Sequence, residues 1–472
     1  MAMKPISLKQ VTDITHGKYV GDPALADTLI TGVVHDNRNV LPGNIFACIV
    51  GERVDGHSFA ENAFSRGACA CITEKELENP AGPYIMVEST LEAIKALGKY
   101  YRSILNIPVI GVIGSVGKTT AKEMIAAALS VKYNVLKTPA NFNTELGVPL
   151  TLLTIQEDHD AAVIEMGISE FGEMSRLADM VRPNFAVMTN IGACHLESLG
   201  DLNGVLKAKS EVFAYMPAGS TAILNGDDAL LKEYHPGEGI RKLTFGLSQS
   251  GNDCYAYDVK TIGTDSVSGR ISFLDRTFEA ELPAFGSHLI LGAMPALMIA
   301  RLLGVDDADI AEGFSSYRPV GGRANVTDTG FIRLINDCYN ANPVSCGASI
   351  NSLCSLNARH VAILGDMKEL GKNSAQLHYD LGIHAAEKGV DCLICIGEEA
   401  AHLHRGFLSA APNTPAYHFP TKEDALSFLS IILNKGDAVL VKASHSMEFE
   451  KIVDELMQLE PEELQPILSD KE

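Results

Sequence analysis

The spacing of apolar positions changes along the chain, and the changes divide it. In the first hundred residues, apolar runs of four to six residues at 29–34, 45–50, 68–72 and 84–87 alternate with helix-periodic stretches at 58–66 and 90–105. Short apolar runs suit buried strands, and apolar positions three and four apart suit helices with one buried face. The mixture predicts a small α/β unit over 1–106. From 107 to 318, strand-like runs at 108–113, 161–166, 185–190 and 221–225 alternate with helical patterns at 118–131, 172–180 and 203–215. Alternation of this kind builds a mostly parallel sheet with helices on its faces. Residues 242–285 change character: LTFG, CYAYDV, GRISFL and TFEAEL predict an antiparallel addition, and a helix over 289–303 follows. The Pro/Gly-rich segment 317–323, Tyr-Arg-Pro-Val-Gly-Gly-Arg, breaks the pattern and marks a boundary. Beyond it, strands at 332–336, 360–364, 392–396 and 438–442 alternate with helices at 344–355, 374–388, 422–433 and 446–458. This predicts a third, Rossmann-like unit over 319–472, whose acidic tail at 461–472 is expected to be loose. The third unit has no Gly-x-Gly-x-x-Gly, so its pattern implies no dinucleotide. No internal repeat is present. The expected fold class is α/β in three domains.

Composition narrows the function more than the fold. A chain of 472 residues exceeds one ordinary core, in keeping with several domains. The net charge of −21 argues against a nucleic-acid or anionic-membrane partner, since neither would meet a basic face. Anionic small molecules stay open, because a few local lysines and arginines suffice to bind them. No apolar run approaches the roughly 18 residues that span a bilayer, and the start, MAMKPISLKQ, has no apolar signal core. A cytoplasmic protein without membrane insertion is expected. The ten cysteines are scattered. The one Cys-x-x-Cys, Cys392 to Cys395, lies in an apolar run without a partner pair, which predicts buried reduced thiols rather than a metal or redox site.

The stretch Gly111-Val-Ile-Gly-Ser-Val-Gly-Lys-Thr-Thr120 carries the clearest chemistry. An apolar strand runs into a glycine-rich turn, then Lys-Thr-Thr opens a helix. Main-chain N–H groups of Gly114, Ser115, Val116, Gly117 and the first helical residues, Lys118, Thr119 and Thr120, can bind phosphate at such a helix start. Lys118 would reach the outer phosphates and the Thr119 hydroxyl would bind Mg²⁺, so a nucleoside triphosphate is expected. The usual eight-residue pattern asks for a small residue at 112, which is Val; the glycine sits at 114 instead. Glu165 ends an apolar strand, where ligands of open α/β sheets collect, and can serve as a second Mg²⁺ ligand. His195 and Glu197 follow the next strand. Lys207 and Lys209 stand on a helix, where two lysines ordinarily read as surface.

The motifs GSVGKTT (114–120), NFNTELGVPLTLL (141–153), EMGIS (165–169), TNIGACHLE (189–197) and KAKSE (207–211) together resemble the Mur ligase family. So do GGRANV (321–326), DCYNANP (337–343), GDMKELG (365–371) and VKASHSME (441–448). The last three resemble the member of that family that adds D-alanyl-D-alanine to UDP-N-acetylmuramoyl tripeptide. The stretch 36–59 resembles that member's UDP-binding domain. The resemblance implies a three-domain, ATP-dependent amide ligase working through an acyl phosphate, and a monomer is expected. It implies one Mg²⁺ on Thr119 and Glu165 and a second on Glu165 and His195, with Lys118, Glu165, His195 and Lys209 as the catalytic set. It further implies a CO2-derived carbamate on Lys209, which turns a cation into a hard-oxygen partner for Mg²⁺. Arg323 and Asp337 are implied near ATP, Arg323 on phosphate and Asp337 on ribose, with Tyr339 and Asn340 beside them. Asp36, Arg38, Asn141, Thr144, Ser444 and His445 are implied on the substrates.

Several positions depart from the family pattern. Asp-Ser-Arg is here Asp36-Asn37-Arg38, and Asn-Phe-Asn-Asn is Asn141-Phe-Asn-Thr144. Gly-x-His-Asn-x-x-Asn is Gly286-Ser-His-Leu289-Ile-Leu-Gly292, and Lys-Gly-Ser-Arg is Lys442-Ala-Ser-His445. The departures fall on nucleotide and substrate contacts and spare Lys118, Thr119, Glu165, His195 and Lys209. They admit a second reading, a Mur-type ligase that joins a different carboxylate and amine.

Overall fold

The computed structural model describes residues 3–51 and 54–459; the acidic tail at 461–472 lies outside the described residues. Three sheets form in chain order. The first has β1 (Lys18–Val20), β2 (Gly32–Val34), β3 (Asn44–Ala47), β4 (Ala70–Thr73) and β5 (Tyr84–Met86) in the order β1-β5-β4-β3-β2. Only β1 runs antiparallel to its neighbour. The second has β6 (Val109–Ile113), β7 (Val135–Lys137), β8 (Ala161–Glu165), β9 (Phe185–Met188), β10 (Thr221–Asn225), β11 (Arg241–Gly246), β12 (Cys254–Ile262), β13 (Ser266–Phe273) and β14 (Arg276–Leu282). Their order is β14-β13-β12-β11-β10-β9-β6-β8-β7. The third has β15 (Asn325–Asp328), β16 (Arg333–Asn336), β17 (His360–Gly365), β18 (Cys392–Ile396), β19 (Ala416–Phe419) and β20 (Ala438–Lys442), in the order β15-β16-β20-β17-β18-β19.

The strand–helix alternation read from the sequence is thus present, with one correction. The segment containing LTFG does not join the antiparallel addition. It forms β11, parallel both to β10 and to β12, and the antiparallel part is confined to β12, β13 and β14. The two-residue period misleads here because β11 is half-exposed at its start and buried only from Leu243 on. The pattern also missed β1, β7, β15 and β19, which have only three or four residues each and lie at a sheet edge, and the helices Leu8–Ile14, Gly147–Leu152, Leu196–Leu199, Ala229–Glu233, Asp307–Ser316 and Ala400–Ala410.

The second sheet sets the site. Strands β6, β8 and β10 are buried throughout, because helices cover both faces. The helix Lys118–Ser130 lies on one face and packs against Ile290–Leu302, which is apolar nearly all round and carries Pro295 inside it. On the other face, one continuous core joins the first and second sheets. The helix Thr90–Ser103 bridges them: Gly98 seats against Pro149, and the Tyr101 hydroxyl donates to the Ile155 carbonyl at 2.6 Å. The third sheet has its own apolar layer on each face. Cys392 and Cys395 sit fully buried in β18 as free thiols. No helix among the described residues is long and apolar enough to cross a membrane.

Candidate active site

The carboxyl ends of β6, β8 and β9 meet the carboxyl ends of β16 and β20 across a cleft of about 440 Å³. Ends of parallel strands are where α/β sheets collect ligands, since loops and helix starts converge there. Gly114 leaves β6 with φ 144° and Gly117 enters the helix with φ 79°, values that a side chain strongly disfavours. Val112 lies inside the buried strand, so the glycine-rich turn begins two residues later than the usual pattern, at Gly114. The helix Lys118–Ser130 has no side-chain cap, which leaves its first N–H groups facing the cleft. The N–H groups of Ser115 and Val116 are not free: both donate to Asn190 Oδ1, at 3.2 and 2.9 Å. The cradle therefore starts at Gly117, and Ser115 and Val116 enter the wall without offering those donors. The Ser115 hydroxyl accepts the Gly192 N–H at 2.9 Å, so the loop after β9 braces the turn. Lys118 folds back over it, Nζ donating to the Gly114 carbonyl at 2.9 Å. Burial lowers the Lys118 pKa, against the pull of Glu165.

Glu165 ends β8 and is 2% exposed. Its Oε2 accepts the Thr119 hydroxyl at 3.0 Å and its Oε1 accepts Asn143 Nδ2 at 2.8 Å. The pairing of Thr119 with Glu165 is the one the sequence suggested; Asn143 is a partner it did not. Of the loop 141–144, Asn143 and Thr144 line the cleft, and Asn141 does not. His195 adopts a left-handed conformation, φ 51°, and burial lowers its pKa. Its Nδ1 lies 2.5 Å from Glu369 Oε2, and that carboxylate opposes the lowering. Glu369 belongs to the third unit, and no sequence signal pointed to it beyond its place in GDMKELG. Lys209 and Lys207 separate cleanly. Lys207 is exposed, 5.8 Å over the Phe171 ring, whereas Lys209 is 1% exposed and makes no ion pair among the described residues. Asp201 caps their helix by accepting the Gly204 N–H at 2.9 Å. Burial, then the nearby Lys118, push the Lys209 pKa down to about 8.

The third unit supplies the opposite wall. The Arg323 guanidinium lies 4.0 Å from the centre of the Tyr339 ring, and His445 stacks on the same ring at 5.4 Å. Arg323, Tyr339 and Asn340 line the cleft; Ser444 and His445 do not. Ser444 instead accepts the Lys368 N–H at 2.9 Å, and His445 stands mostly in solvent behind Tyr339. The two residues expected on substrate thus stand outside the cleft lining. Asp337 is not free either. Its Oδ2 accepts Lys442 Nζ and the Ser349 hydroxyl, each at 2.6 Å, and its Oδ1 accepts the Ala324 N–H at 3.1 Å. Lys442, buried and in the wall, is a cation that the sequence reading passed over. Gly292, where the family has asparagine, packs so close that a Cβ would meet Met124 Sδ at 2.9 Å.

In the first unit, Asp36 and Arg38 face each other rather than the cleft, Arg38 Nη2 lying 2.6 Å from Asp36 Oδ2. Asn37 donates to Asn62 Oδ1 at 2.8 Å. The neighbouring His35 meets Phe142 of the 141–144 loop, ring centres 6.3 Å apart, which links this turn to the second unit.

Comparison with known proteins gives the same picture. The chain matches the models described as "Mur ligase family, catalytic domain" over 29–133, "Mur ligase middle domain" over 112–300 and "Mur ligase, glutamate ligase domain" over 322–445. It is 34% identical to the UDP-N-acetylmuramoyl-tripeptide–D-alanyl-D-alanine ligase of Bacillus subtilis (strain 168), with 96% of this chain and 98% of that one aligned. A crystal structure of MurF from Acinetobacter baumannii superposes with a TM-score of 0.87 at 30% identity, covering 97% of this chain and all of that one. The MurF ligase of Thermotoga maritima, solved in complex with ADP, superposes with a TM-score of 0.79 at 29% identity, covering 90% and 97%. From its glycine-rich turn to its two-walled cleft, and over nearly its whole length, the chain belongs to the Mur ligase family.

Proposed function

We propose that the chain is an ATP-dependent amide ligase that joins D-alanyl-D-alanine to UDP-N-acetylmuramoyl tripeptide. Its working parts are three units, 1–106 for the UDP-linked substrate, 107–318 for ATP and 319–472 as the closing wall. The observation that carries the reading is the buried Lys209, which makes no ion pair among the described residues and lies close enough to Lys118 for the two charges to repel. The names of the relatives supply the substrates.

The residues fit magnesium. Thr119 Oγ1 and Glu165 Oε2 are hard oxygens 3.0 Å apart, and His195 presents an imidazole whose Nδ1 faces the Glu369 carboxylate at 2.5 Å. Thr119 and Glu165 would hold one ion, and Glu165 with His195 a second, beside a carbamate on Lys209. Magnesium supplies charge neutralisation that lets an anionic carboxylate approach an anionic γ-phosphate. The chain does the rest. N–H groups from Gly117 on hold the β- and γ-phosphates, and Lys118 leaves the Gly114 carbonyl to follow the γ-phosphate. The substrate carboxylate oxygen attacks that phosphorus and ADP departs, giving an acyl phosphate. The amine then attacks the carbonyl carbon and phosphate leaves as the amine loses its proton. Arg323 on the facing wall steadies phosphate charge, and closure of the walls keeps water from the acyl phosphate.

The test is ADP release with ATP, Mg²⁺, UDP-N-acetylmuramoyl tripeptide and D-alanyl-D-alanine, omitting each in turn. Release is expected only with all four. Nucleotide binding without substrate-dependent release would assign the chain to another carboxylate and amine. A second measurement addresses the facing wall. Tyr339→Ala is expected to raise the KM for ATP about tenfold, since Arg323 loses the ring beneath it, whereas Tyr339→Phe stays within about twofold. Equal KM values for the two variants would detach Arg323 from phosphate.

A further inference from the structure

The helix that opens at Lys118 carries another lysine one turn on, which the reaction described above leaves unused. Lys122 is 1% exposed. Its Nζ donates to the Thr138 carbonyl at 2.8 Å, and lies 3.1 Å from Glu123 Oε1 and 3.7 Å from Glu165 Oε2. Filling space does not call for a charge here, since an unbranched apolar side chain would fill the same channel without desolvating an ammonium. Glu123 is not its dedicated partner, because Lys137 pairs with that carboxylate too. Thr138 ties Lys122 to Glu165: its carbonyl holds the ammonium, and its hydroxyl accepts the Glu165 N–H at 2.9 Å. The other groups on the Glu165 carboxylate, Thr119 and Asn143, are neutral. Among the described residues, Lys122 is the one cation within 4.0 Å of it.

We propose that Lys122 is the resident counter-cation of Glu165, a positioning residue that neutralises and aligns the carboxylate when magnesium is absent and opposes magnesium when it arrives. The inference rests on the reading of Glu165 as a magnesium ligand. A buried carboxylate with only neutral partners would bind a divalent cation tightly and release it slowly. A fixed positive charge 3.7 Å from the same Oε2 repels the ion, and low local polarity strengthens that repulsion. Magnesium then exchanges with each nucleotide, and between turnovers the carboxylate keeps its place against Thr119.

Three variants separate charge from packing. Lys122→Gln removes the charge and keeps a donor for the Thr138 carbonyl, Lys122→Met removes both, and Lys122→Arg keeps the charge. Each is titrated with Mg²⁺ in the presence of a non-hydrolysable ATP analogue, followed by calorimetry and by thermal unfolding of the full chain, and kcat is measured alongside. The Gln and Met variants are expected to need about 3- to 10-fold less Mg²⁺ for half-saturation. They are also expected to melt lower than wild type without metal and to turn over more slowly. Lys122→Arg is expected within about twofold of the wild-type half-saturation. A half-saturation in Lys122→Gln equal to or above wild type overturns the inference. If that variant does not fold, the double variant Lys122→Gln/Glu165→Gln decides: recovery of folding marks the two charges as a pair, and continued failure overturns the pairing. Glu165→Gln alone tells the two readings apart. A Mg²⁺ titration unchanged by Glu165→Gln sinks the magnesium ligand itself. One weakened by Glu165→Gln but not tightened by Lys122→Gln sinks only the role of Lys122.

Discussion

Replacing Lys209 is expected to abolish turnover and, in the same protein, to raise stability. Its side chain is buried without an ion pair among the described residues, and its pKa stands at about 8 against 10.5 for an ordinary lysine. The unfolded chain therefore holds this proton more tightly than the folded one. The resulting destabilisation is fully present below pH 8, shrinks between pH 8 and 10.5, and is gone above that range. A gap of that size corresponds to roughly 3 kcal/mol. In CO2-free buffer at pH 7, Lys209→Met should gain up to about that much in denaturant unfolding, and the gain should close as pH approaches 10.5. The same lowered pKa raises the neutral, CO2-reactive fraction at pH 7 roughly 300-fold. Loss of activity in Lys209→Ala, at least about 10³-fold, should be partly reversed by formate or acetate, which can place a carboxylate where the carbamate stood. Wild-type turnover in Lys209→Ala would remove the carbamate from the mechanism.

Lys118→Met should lower kcat by about 10³-fold while ADP affinity changes by only a few-fold. In the structure Lys118 Nζ rests on the Gly114 carbonyl at 2.9 Å and, more loosely, on the Ser115 carbonyl at 3.5 Å. Those contacts keep the ammonium on the turn before nucleotide arrives. Its main gain is expected when charge builds on the transferring phosphoryl group, which ADP lacks. Calorimetric ADP binding set beside single-turnover kinetics reads the two terms separately. A variant that loses ADP affinity and rate in equal measure would make Lys118 a binding residue only.

The sequence carried the architecture well because long, fully buried strands and one-faced helices write their period into it. Strands β18 and β20 have the same limits in pattern and structure. Short edge strands such as β7 and β19, half-exposed, leave no such trace. Within the site, residues on the strand-end motifs were legible: Thr119 and Glu165 were named and lie 3.0 Å apart. Partners chosen by packing were not. Asn143 rather than Asn141 turns inward because the Gly167 N–H donates to its carbonyl at 2.8 Å and fixes the loop. Lys122 reads as one more helix-surface charge until the β7 end and its Thr138 are folded over it. Glu369 reaches His195 from a sheet that begins more than a hundred residues later, a distance no local pattern encodes. Gly292 reads as a lost asparagine in the sequence and as a close helix crossing in the fold.

The turn that leaves β6 bears on how this protein can change over generations. A Cβ at Gly114 would stand 2.0 Å from Thr189 Oγ1 and 3.1 Å from both the Thr189 Cβ and its main-chain nitrogen, at a backbone angle that side chains avoid. Trimming Thr189 removes the first obstacle and leaves the main-chain nitrogen and the backbone angle. A side chain at Gly114 is therefore not accommodated by changing Thr189 alone. An inhibitor whose affinity came mainly from the contour of this turn would meet a surface that resistant lineages have few ways to redraw. They would have to escape at the facing wall instead, where the contact of Arg323 with Tyr339 is one side chain stacked on another rather than a close backbone fit.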